Sequence, residues 1–489
     1  MDTELLVFNG IDGSSGSYLT PPLAPADASA LARGESFDPA HLAELQSRHR
    51  RDTEATFGPV EGVDPKDLAS AGWGVLFAHD EPPGVREALK PLLDHRKTQA
   101  GREHEHYYKD YAGPTGFRPT DSKRSFLARG GAAAGMPADP EKVPYYLLLV
   151  GDPESLPYSF QYQLDVEYAV GRLWFERDGK PDLDAFANYA RSVVEAEAGR
   201  AARPRKGAFL GVQNEGDPAT NLSAEKLVRP LAEKLAGERG QWSFETWIKE
   251  HTYKADLAGL LNGADVPALL FTASHGMGFP SGNPRQLPHQ GALLCQDWPG
   301  PSQWPGRPIP PDHYLAADDV SDSAHLQGLV AFHFACYGAG TPRLNDFAHL
   351  RQLSQRAPIA PHAFVARLPQ RLLGHPKGGA LAVVGHVERA WSCSFYGGVN
   401  LGQQLQAFQS TLLRLLDGFP IGYAMEYFNQ LYAALSAELS GELEDIKYGK
   451  IPDDLALSSL WTANHDARSY LLLGDPAVRL ALDTGQPRS

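Results

Sequence analysis

Two short apolar runs in this 489-residue chain each end in a reactive side chain with glycine close behind it. The first, VPALLFTAS at 266–274, leads into His275 and Gly276, and the second, GLVAFHFA at 328–335, leads into Cys336. Short runs of apolar and aromatic residues are typical of strands buried in a parallel sheet. Chemistry in open α/β sheets lies just beyond the carboxyl ends of such strands. If the two strands are neighbours, an imidazole and a thiol meet at one rim of the sheet.

A Cys-His pair suits nucleophilic catalysis, because imidazole can accept the proton of a thiol that is only about 3% ionised at pH 7. A helix beginning after Cys336 would favour the thiolate further. The N–H groups of Gly276 and Cys336 could together stabilise the oxyanion of acyl transfer, and a side chain at position 276 would crowd that spot. The pattern therefore predicts a cysteine peptidase with His275 as the base and Cys336 as the nucleophile.

The other histidines and cysteines fit these roles less well. His333 lies inside the strand before Cys336 and is predicted to be a core residue, whereas His386, after the next buried strand, is the alternative base. Cys295 lies in an insertion and does not follow a buried strand, and Cys393 lies in a loop and is predicted to be structural. Three cysteines without a CxxC spacing indicate neither a disulfide framework nor a structural zinc site.

Strands and helices alternate along most of the chain, which predicts an α/β fold with a mostly parallel sheet flanked by helices and two α/β subdomains. Residues 1–65 are rich in Gly, Ser, Pro and Ala, and we expect an arm or pro-segment there with a helix at 41–51. Residues 66–203 form the first predicted subdomain, and residues 204–485 form the second, which carries both reactive side chains. Gly, Pro and Trp dominate residues 278–311, which predicts an inserted lid loop.

The net charge of −14 argues against a nucleic-acid or anionic-membrane binder. The sequence shows no basic, apolar leader and no apolar stretch of about 18 residues, so neither a signal peptide nor a membrane span is expected. With sparse cysteines, these features predict a cytoplasmic protein whose partner is a protein or peptide substrate. No cofactor is expected. Asp318, Asp319 and Asp322 could bind calcium, although a solvated turn is the simpler interpretation.

Six segments, in this order, resemble the caspase-like clan of cysteine peptidases and in particular its gingipain-type branch (peptidase family C25). They are LLLVGD at 147–152, AVGRL at 169–173, the strand–His-Gly and strand–Ala-Cys runs, GALAVVG at 379–385 with the following Ala-Trp, and YLLLGDP at 470–476. The resemblance spans about 140–480. It implies a caspase-like catalytic subdomain preceded by a smaller α/β subdomain that lends one wall to the substrate pocket.

The resemblance also assigns roles to residues. It implies His275 as general base or acid, Cys336 as nucleophile and Gly276 as an oxyanion donor. It implies that Ala390 and Trp391 line the S1 pocket, which holds P1, the residue before the scissile bond.

Gingipain-type enzymes also place acidic residues of the first subdomain near the site, one to contact the histidine and one to bind P1. Asp165 and Glu167 are the carboxylates available here, and the sequence does not assign either role to either residue. A carboxylate in S1 would favour arginine or lysine at P1. Solvated charges at a strand end are an equal alternative for both residues.

The expected function is therefore a cytosolic cysteine endopeptidase, cleaving after Arg or Lys and regulated or activated by processing. Arg50-Arg51 would suit self-cleavage, and an upstream protease or regulator is a candidate partner. Gingipain-type enzymes are typically secreted, whereas no leader is expected here. The resemblance then implies a regulated intracellular peptidase, kept as a zymogen, in bacterial stress or defence. Two alternatives stay open: a catalytically silent scaffold on the same fold, and a transpeptidase or amidase using the same dyad.

Overall fold

The computed structural model describes residues 9–18, 58–345, 358–396 and 404–483. The strands are β1 Gly10–Asp12, β2 Trp73–Phe77, β3 Tyr108–Tyr111, β4 Tyr146–Val150, β5 Ala169–Leu173, β6 Glu176–Arg177, β7 Lys180–Pro181, β8 Lys206–Gly211, β9 Ser243–Ile248, β10 Leu269–Ala273, β11 Gly276–Gly278, β12 Leu293–Leu294, β13 Tyr314–Leu315, β14 Val330–Phe334, β15 Gly340–Thr341, β16 Phe364–Val365, β17 Ala382–His386 and β18 Tyr470–Gly474. The helix predicted at 41–51 and the Arg50-Arg51 pair lie outside the described residues.

The α-helices are α1 Leu68–Ala71, α2 Pro83–Ala100, α3 Lys123–Arg129, α4 Tyr158–Leu164, α5 Leu183–Glu197, α6 Pro218–Ser223, α7 Arg229–Glu238, α8 Lys254–Asn262, α9 Gln286–His289, α10 Arg367–Leu373, α11 Gln406–Leu416, α12 Ile421–Ala424, α13 Glu426–Lys447 and α14 Asp454–Ser469. A π-helical turn at Ala224–Val228 joins α6 to α7. None of these described helices is long and apolar enough to cross a membrane.

Ten strands form one continuous sheet in the order β3-β2-β4-β5-β18-β17-β14-β10-β8-β9. Neighbouring strands are parallel throughout, except that β17 and β18 are antiparallel. The predicted α/β fold with a mostly parallel sheet is confirmed. The two predicted subdomains contribute four and six strands to this one sheet, and they meet where Leu473 of β18 pairs with Arg172 of β5.

The central strands are apolar because they lie inside the protein. Every residue of β4, β5, β10 and β14 is buried, as expected for strands covered on both faces. Phe209, Phe271 and Phe332 stack across β8, β10 and β14, with ring centroids 5.5 and 5.1 Å apart. This packing holds β10 and β14 side by side, with Ala273 opposite Phe334. Residues that follow the two strands therefore emerge at the same rim.

The insertion at 278–311 contributes β12 to a second, smaller sheet. Its four strands run in the order β1-β11-β12-β13, and β1, near the N-terminus, pairs in parallel with β11 at the edge. Ile11, Met277 and Trp298 are fully buried in an apolar cluster that is separate from the main core. The segment predicted as a lid loop thus contains α9 and β12 and packs against its own core.

Candidate active site

The two reactive side chains predicted from the sequence lie at one rim of the main sheet. His275 and Cys336 each follow their strand by two residues, and those strands are direct neighbours in register. Gly276 lies against the backbone of Cys336, since a Cβ atom built on Gly276 would lie 1.7 Å from the Cys336 carbonyl oxygen. Only glycine fits at this position, which agrees with the crowding expected from the sequence.

The backbone N–H groups of Gly276 and Cys336 converge on a single acceptor. Both donate to the carbonyl oxygen of Asn9, with N···O distances of 2.9 and 3.0 Å. Two fixed N–H donors aimed at one oxygen form the arrangement that stabilises the negative charge developing on a carbonyl oxygen during acyl transfer. The pair predicted as oxyanion donors therefore has the required geometry, and a carbonyl group of the chain itself occupies it.

The thiol of Cys336 is fully buried and neutral at rest. Burial raises its pKa to about 12, although a hydrogen bond donated by the Ala390 N–H to Sγ, at 3.3 Å, acts in the opposite direction. The helix expected after Cys336 is absent from the described residues 337–345. The chain instead turns at Tyr337, whose φ is 58°, and enters the short strand β15. The thiol consequently depends on a base for its activation.

His275 is held in place by a carboxylate. Its Nε2–H donates to Oδ2 of Asp217 at 2.7 Å, and both side chains are fully buried. The rings of Tyr18 and Trp298 meet the imidazole edge-on, with centroids 5.6 and 6.1 Å away. In the part of the chain that the structure describes, Nδ1 of His275 has no hydrogen-bond partner, and no hydrogen bond joins the imidazole ring to the Cys336 Sγ. Nδ1 is therefore the nitrogen free to exchange a proton.

Asp217 is a candidate site residue that the sequence interpretation missed. Burial acts to raise its pKa, but the charge and hydrogen bond of His275 and the hydroxyls of Thr220 and Tyr18 together lower it to about 2. The residue also caps α6, where its carboxylate accepts from the Ala219 N–H. The Asp-Pro pair after β8 is a helix-start signal. Because β8 neighbours β10, that signal could have placed a carboxylate at this rim.

Of the two residues predicted to line S1 near the thiol, Ala390 touches the site directly. Its N–H donates to the Cys336 Sγ, and its carbonyl oxygen accepts from the Asn9 N–H at 3.1 Å. Trp391 is buried beside it, and its N–H donates to Oδ1 of Asp466 at 2.7 Å. The chain on either side of the Ala390–Trp391 peptide is thus fixed at the rim.

The two candidate carboxylates make contacts within the first subdomain. Glu167 forms a buried ion pair with Lys123 and accepts from the Gly135 N–H at 3.1 Å. Loss of hydration raises the pKa of Asp165 well above its usual value, although the nearby Arg172 opposes this. A role of Asp165 or Glu167 in S1 stays a prediction.

The remaining candidate histidines have other partners, and the two remaining cysteines have none of the assigned roles. His386, the alternative base, is buried at the end of β17, and its Nδ1–H donates to the Arg389 carbonyl oxygen at 3.0 Å. His333 is a buried residue that bonds with the Thr272 hydroxyl at 2.8 Å. Cys295 and Cys393 are free thiols.

The three aspartates considered for calcium have separate partners. Asp318 lies 3.4 Å from His289, Asp319 forms an ion pair with Lys254 at 2.7 Å, and Asp322 pairs with Arg371.

No protein-family model matches the chain, and no curated protein matches it. Among solved structures it is similar to one titled "Structure of Protease", with 13% identity, 85% of this chain and 80% of that chain covered, and a TM-score of 0.47. It is also similar to the Arg-specific cysteine proteinase gingipain R, with 12% identity, 87% and 80% covered and a TM-score of 0.42. A further match is the Saccharomyces cerevisiae separase–securin complex, with 8% identity, 68% and 15% covered and a TM-score of 0.29. All three TM-scores are below 0.5, so these similarities assign no chemistry to the chain.

Proposed function

We propose that the protein is a cysteine endopeptidase in which Cys336 is the nucleophile and His275 the general base and acid. One observation carries this proposal. Two backbone N–H groups, one of them from Cys336 itself, bind the same carbonyl oxygen at 2.9 and 3.0 Å. A peptide carbonyl bound in this way lies beside a thiol, and a histidine on the neighbouring strand is oriented by a buried carboxylate.

Each group has a defined part in the reaction. His275 accepts the thiol proton at Nδ1 while Asp217 holds Nε2–H and stabilises the imidazolium that forms. The sulfur adds to the carbonyl carbon, and the N–H groups of Gly276 and Cys336 stabilise the oxyanion. His275 then donates the proton to the leaving amine as the C–N bond breaks. Water hydrolyses the thioester, which releases the acid and restores the thiol.

The preference for a particular P1 side chain depends on residues other than Cys336 and His275. Arginine or lysine would require Asp165 or Glu167 to face the bound side chain, and Glu167 already neutralises the charge of Lys123. A carboxylate that is paired in this way is a weaker anchor for a second cation. A panel of P1 side chains therefore has to include uncharged as well as basic residues.

The test is hydrolysis of fluorogenic peptides with Arg, Lys, Asn, Asp or Ala at P1, followed over time with the full chain. We expect Cys336→Ala to lower the rate at least a thousandfold, whereas the matched variant Cys295→Ala, at another buried free thiol, keeps it within about twofold. Hydrolysis that survives Cys336→Ala would contradict the proposal. So would a wild-type protein that neither turns over any peptide nor reacts with a thiol probe at Cys336; that result would favour a scaffold.

A further inference from the structure

Residues 9–18, here called the N-terminal segment, pass through the candidate active site. Asn9 makes three main-chain hydrogen bonds there. Its carbonyl oxygen accepts from the N–H groups of Gly276 and Cys336, and its own N–H donates to the Ala390 carbonyl oxygen at 3.1 Å. Beyond Asn9, strand β1 runs in parallel along β11, with Gly10 opposite Gly276. The peptide bond between Asn9 and Gly10 therefore carries the carbonyl group that the oxyanion donors bind.

The side chain of Asn9 fills a pocket that offers hydrogen-bond acceptors. Only 1% of the residue is exposed, and its Nδ2 donates to the Ser274 carbonyl oxygen at 3.2 Å and to Ser223 Oγ at 3.3 Å. The Ser223 hydroxyl donates its own hydrogen bond to the Thr220 carbonyl oxygen, so toward Asn9 it is an acceptor. An aspartate of the same shape would bring a carboxylate against these oxygens and lose both bonds. The pocket thus distinguishes an amide from an acid.

The part of the segment after Asn9 has anchors of its own. Ile11 is fully buried in the apolar cluster of the small sheet. The Gly13 carbonyl oxygen accepts from the Ile309 N–H and from the Arg285 guanidinium, each at 2.9 Å. Tyr18 donates its hydroxyl proton to Asp217. None of these contacts depends on Asn9, so a break before Gly10 leaves residues 10–18 attached.

We propose that the N-terminal segment is this enzyme's own substrate, that Asn9 occupies the P1 position, and that Cys336 cleaves the Asn9–Gly10 peptide bond. The inference rests on the proposed peptidase function and names the substrate class, a peptide with asparagine at P1. The P1 residue is then not the arginine or lysine expected from the sequence. It is an asparagine, whose uncharged amide donates to Ser223 Oγ and to the Ser274 carbonyl oxygen. Until the bond is cut, the Asn9 carbonyl fills the oxyanion site and the enzyme is latent.

The step balances with water as the only co-reactant. A bond forms between the Cys336 sulfur and the Asn9 carbonyl carbon, and the bond from that carbon to the Gly10 nitrogen breaks. The thiol proton passes through His275 to the Gly10 nitrogen, which becomes a free amine. Water then adds its hydroxyl to the Asn9 carbon and returns a proton to the sulfur. The products are an Asn9 carboxylate and a chain that begins at Gly10, whose oxyanion donors are free for another substrate.

The experiment uses the full chain and follows its intact mass and N-terminal sequence during incubation at neutral pH. Wild type is expected to convert to a chain beginning at Gly10, at a first-order rate that does not depend on protein concentration, while Cys336→Ala stays intact. Asn9→Asp is expected to slow conversion at least tenfold. The matched variant Asn262→Asp alters the chain's other Asn-Gly pair, at the end of α8, and is expected to convert at the wild-type rate.

In the same samples, peptide hydrolysis should begin after a lag that ends as the Gly10 terminus appears, with Asn preferred over Asp at P1 by at least tenfold. An uncut Asn9–Gly10 bond in wild type, a cut that also forms in Cys336→Ala, or equal rates for wild type and Asn9→Asp would each overturn the inference. If the bond stays whole while peptides are hydrolysed in a Cys336-dependent way, only this inference fails. If the bond stays whole, the peptides are not hydrolysed and a thiol probe does not label Cys336, both this inference and the peptidase proposal fail.

Discussion

Two buried Asp–His pairs lie at the rim of the main sheet where the candidate active site is found. The pKa values of their carboxylates are shifted in opposite directions. His275 follows β10 and is bonded to Asp217 at 2.7 Å. His386 ends β17, and its Nε2 lies 3.6 Å from Oδ1 of Asp466. The carboxylate of the first pair is ionised, with a pKa lowered to about 2. In the second pair burial raises the pKa of Asp466 to about 7 and lowers the pKa of His386 to about 3.

The difference comes first from the charge of His275, because both pairs are buried to a similar degree. That charge, together with hydrogen bonds from His275 and from the hydroxyls of Thr220 and Tyr18, offsets the cost of burying the Asp217 carboxylate. Asp466 accepts from the Trp391 N–H and from Ser394, which do not offset burial. The rings of Tyr470 and Phe334 lie against His386, with centroids 4.1 and 6.0 Å away. A histidine beside an ionised carboxylate can take up a proton during a reaction, whereas one in an apolar setting resists it. Burial alone therefore does not distinguish the pair proposed for catalysis from the other pair.

The largest contrast should appear when each imidazole is removed. We expect His275→Ala to lower peptide hydrolysis about a thousandfold or more, because the base for the thiol is lost. His386→Phe keeps an aromatic ring against Tyr470 and should leave the rate within about fivefold. The measurement is kcat/KM for the best peptide of the panel, with circular dichroism as a check on folding. A His386→Phe enzyme as inactive as His275→Ala would reverse the assignment of the two pairs.

A smaller contrast is expected for the carboxylates. Asp217→Asn replaces the charged acceptor of the His275 Nε2–H with a neutral amide and should lower kcat roughly a hundredfold, with little change in KM. Asp466→Asn retains an oxygen that can accept from the Trp391 N–H and should change kcat by less than about threefold. Steady-state kinetics on both variants decide the matter. Equal losses would show that the two carboxylates support catalysis alike.

The two carboxylates should also act on stability in opposite directions as the pH changes. Asp466 has a folded-state pKa raised to about 7, so its contribution is complete below about pH 4 and is lost as the pH rises through 7. Asp217 has a folded-state pKa lowered to about 2, so its contribution is present above about pH 4 and is lost as the pH falls toward 2.

Melting temperatures of wild type and both variants test this from pH 3 to 8. The stability of Asp466→Asn relative to wild type should rise between pH 4 and about 7 and then level off, whereas the deficit of Asp217→Asn should shrink below pH 4. A constant gap between Asp466→Asn and wild type across the range would mean that Asp466 does not titrate there.

The strands at the rim could be predicted because each is a continuous apolar run, and the reactive residue that follows each run is placed by sheet geometry alone. That reasoning located His275, Gly276 and Cys336. It missed Asp217, which precedes His275 by 58 residues and reaches it only because β8 and β10 are neighbours. It also could not foresee Asn9, whose decisive group is a backbone carbonyl that any residue carries.

Helix α14 shows a second reason why an element can escape prediction from the sequence. The hydrophobic pattern did not predict it, because much of its buried side is polar, including Ser458, Thr462 and Ser469. Their hydroxyls are satisfied within the helix or its first turn, as when Thr462 Oγ1 donates to the Ser458 carbonyl oxygen at 2.7 Å. Small hydroxyl side chains satisfied in this way pack like alanine, and hydrophobic periodicity does not register them. This helix supplies Asp466, so the second Asp–His pair was hidden along with it.

The smallest effect should come from two matched hydroxyls, one beside each pair. Tyr18→Phe removes the donor to Asp217 and keeps the ring against His275, so the pKa of Asp217 should rise slightly and kcat should fall roughly threefold to tenfold. Tyr470→Phe removes the bond from its hydroxyl to Ser394 Oγ at 3.0 Å, which should cost about 1 kcal/mol of unfolding free energy and leave kcat unchanged. Urea denaturation and steady-state kinetics on both variants separate the two effects. If Tyr470→Phe lowers kcat as much as Tyr18→Phe, the network around Asp217 has no special connection to the reaction, because a hydroxyl lost beside the structural pair would then matter equally.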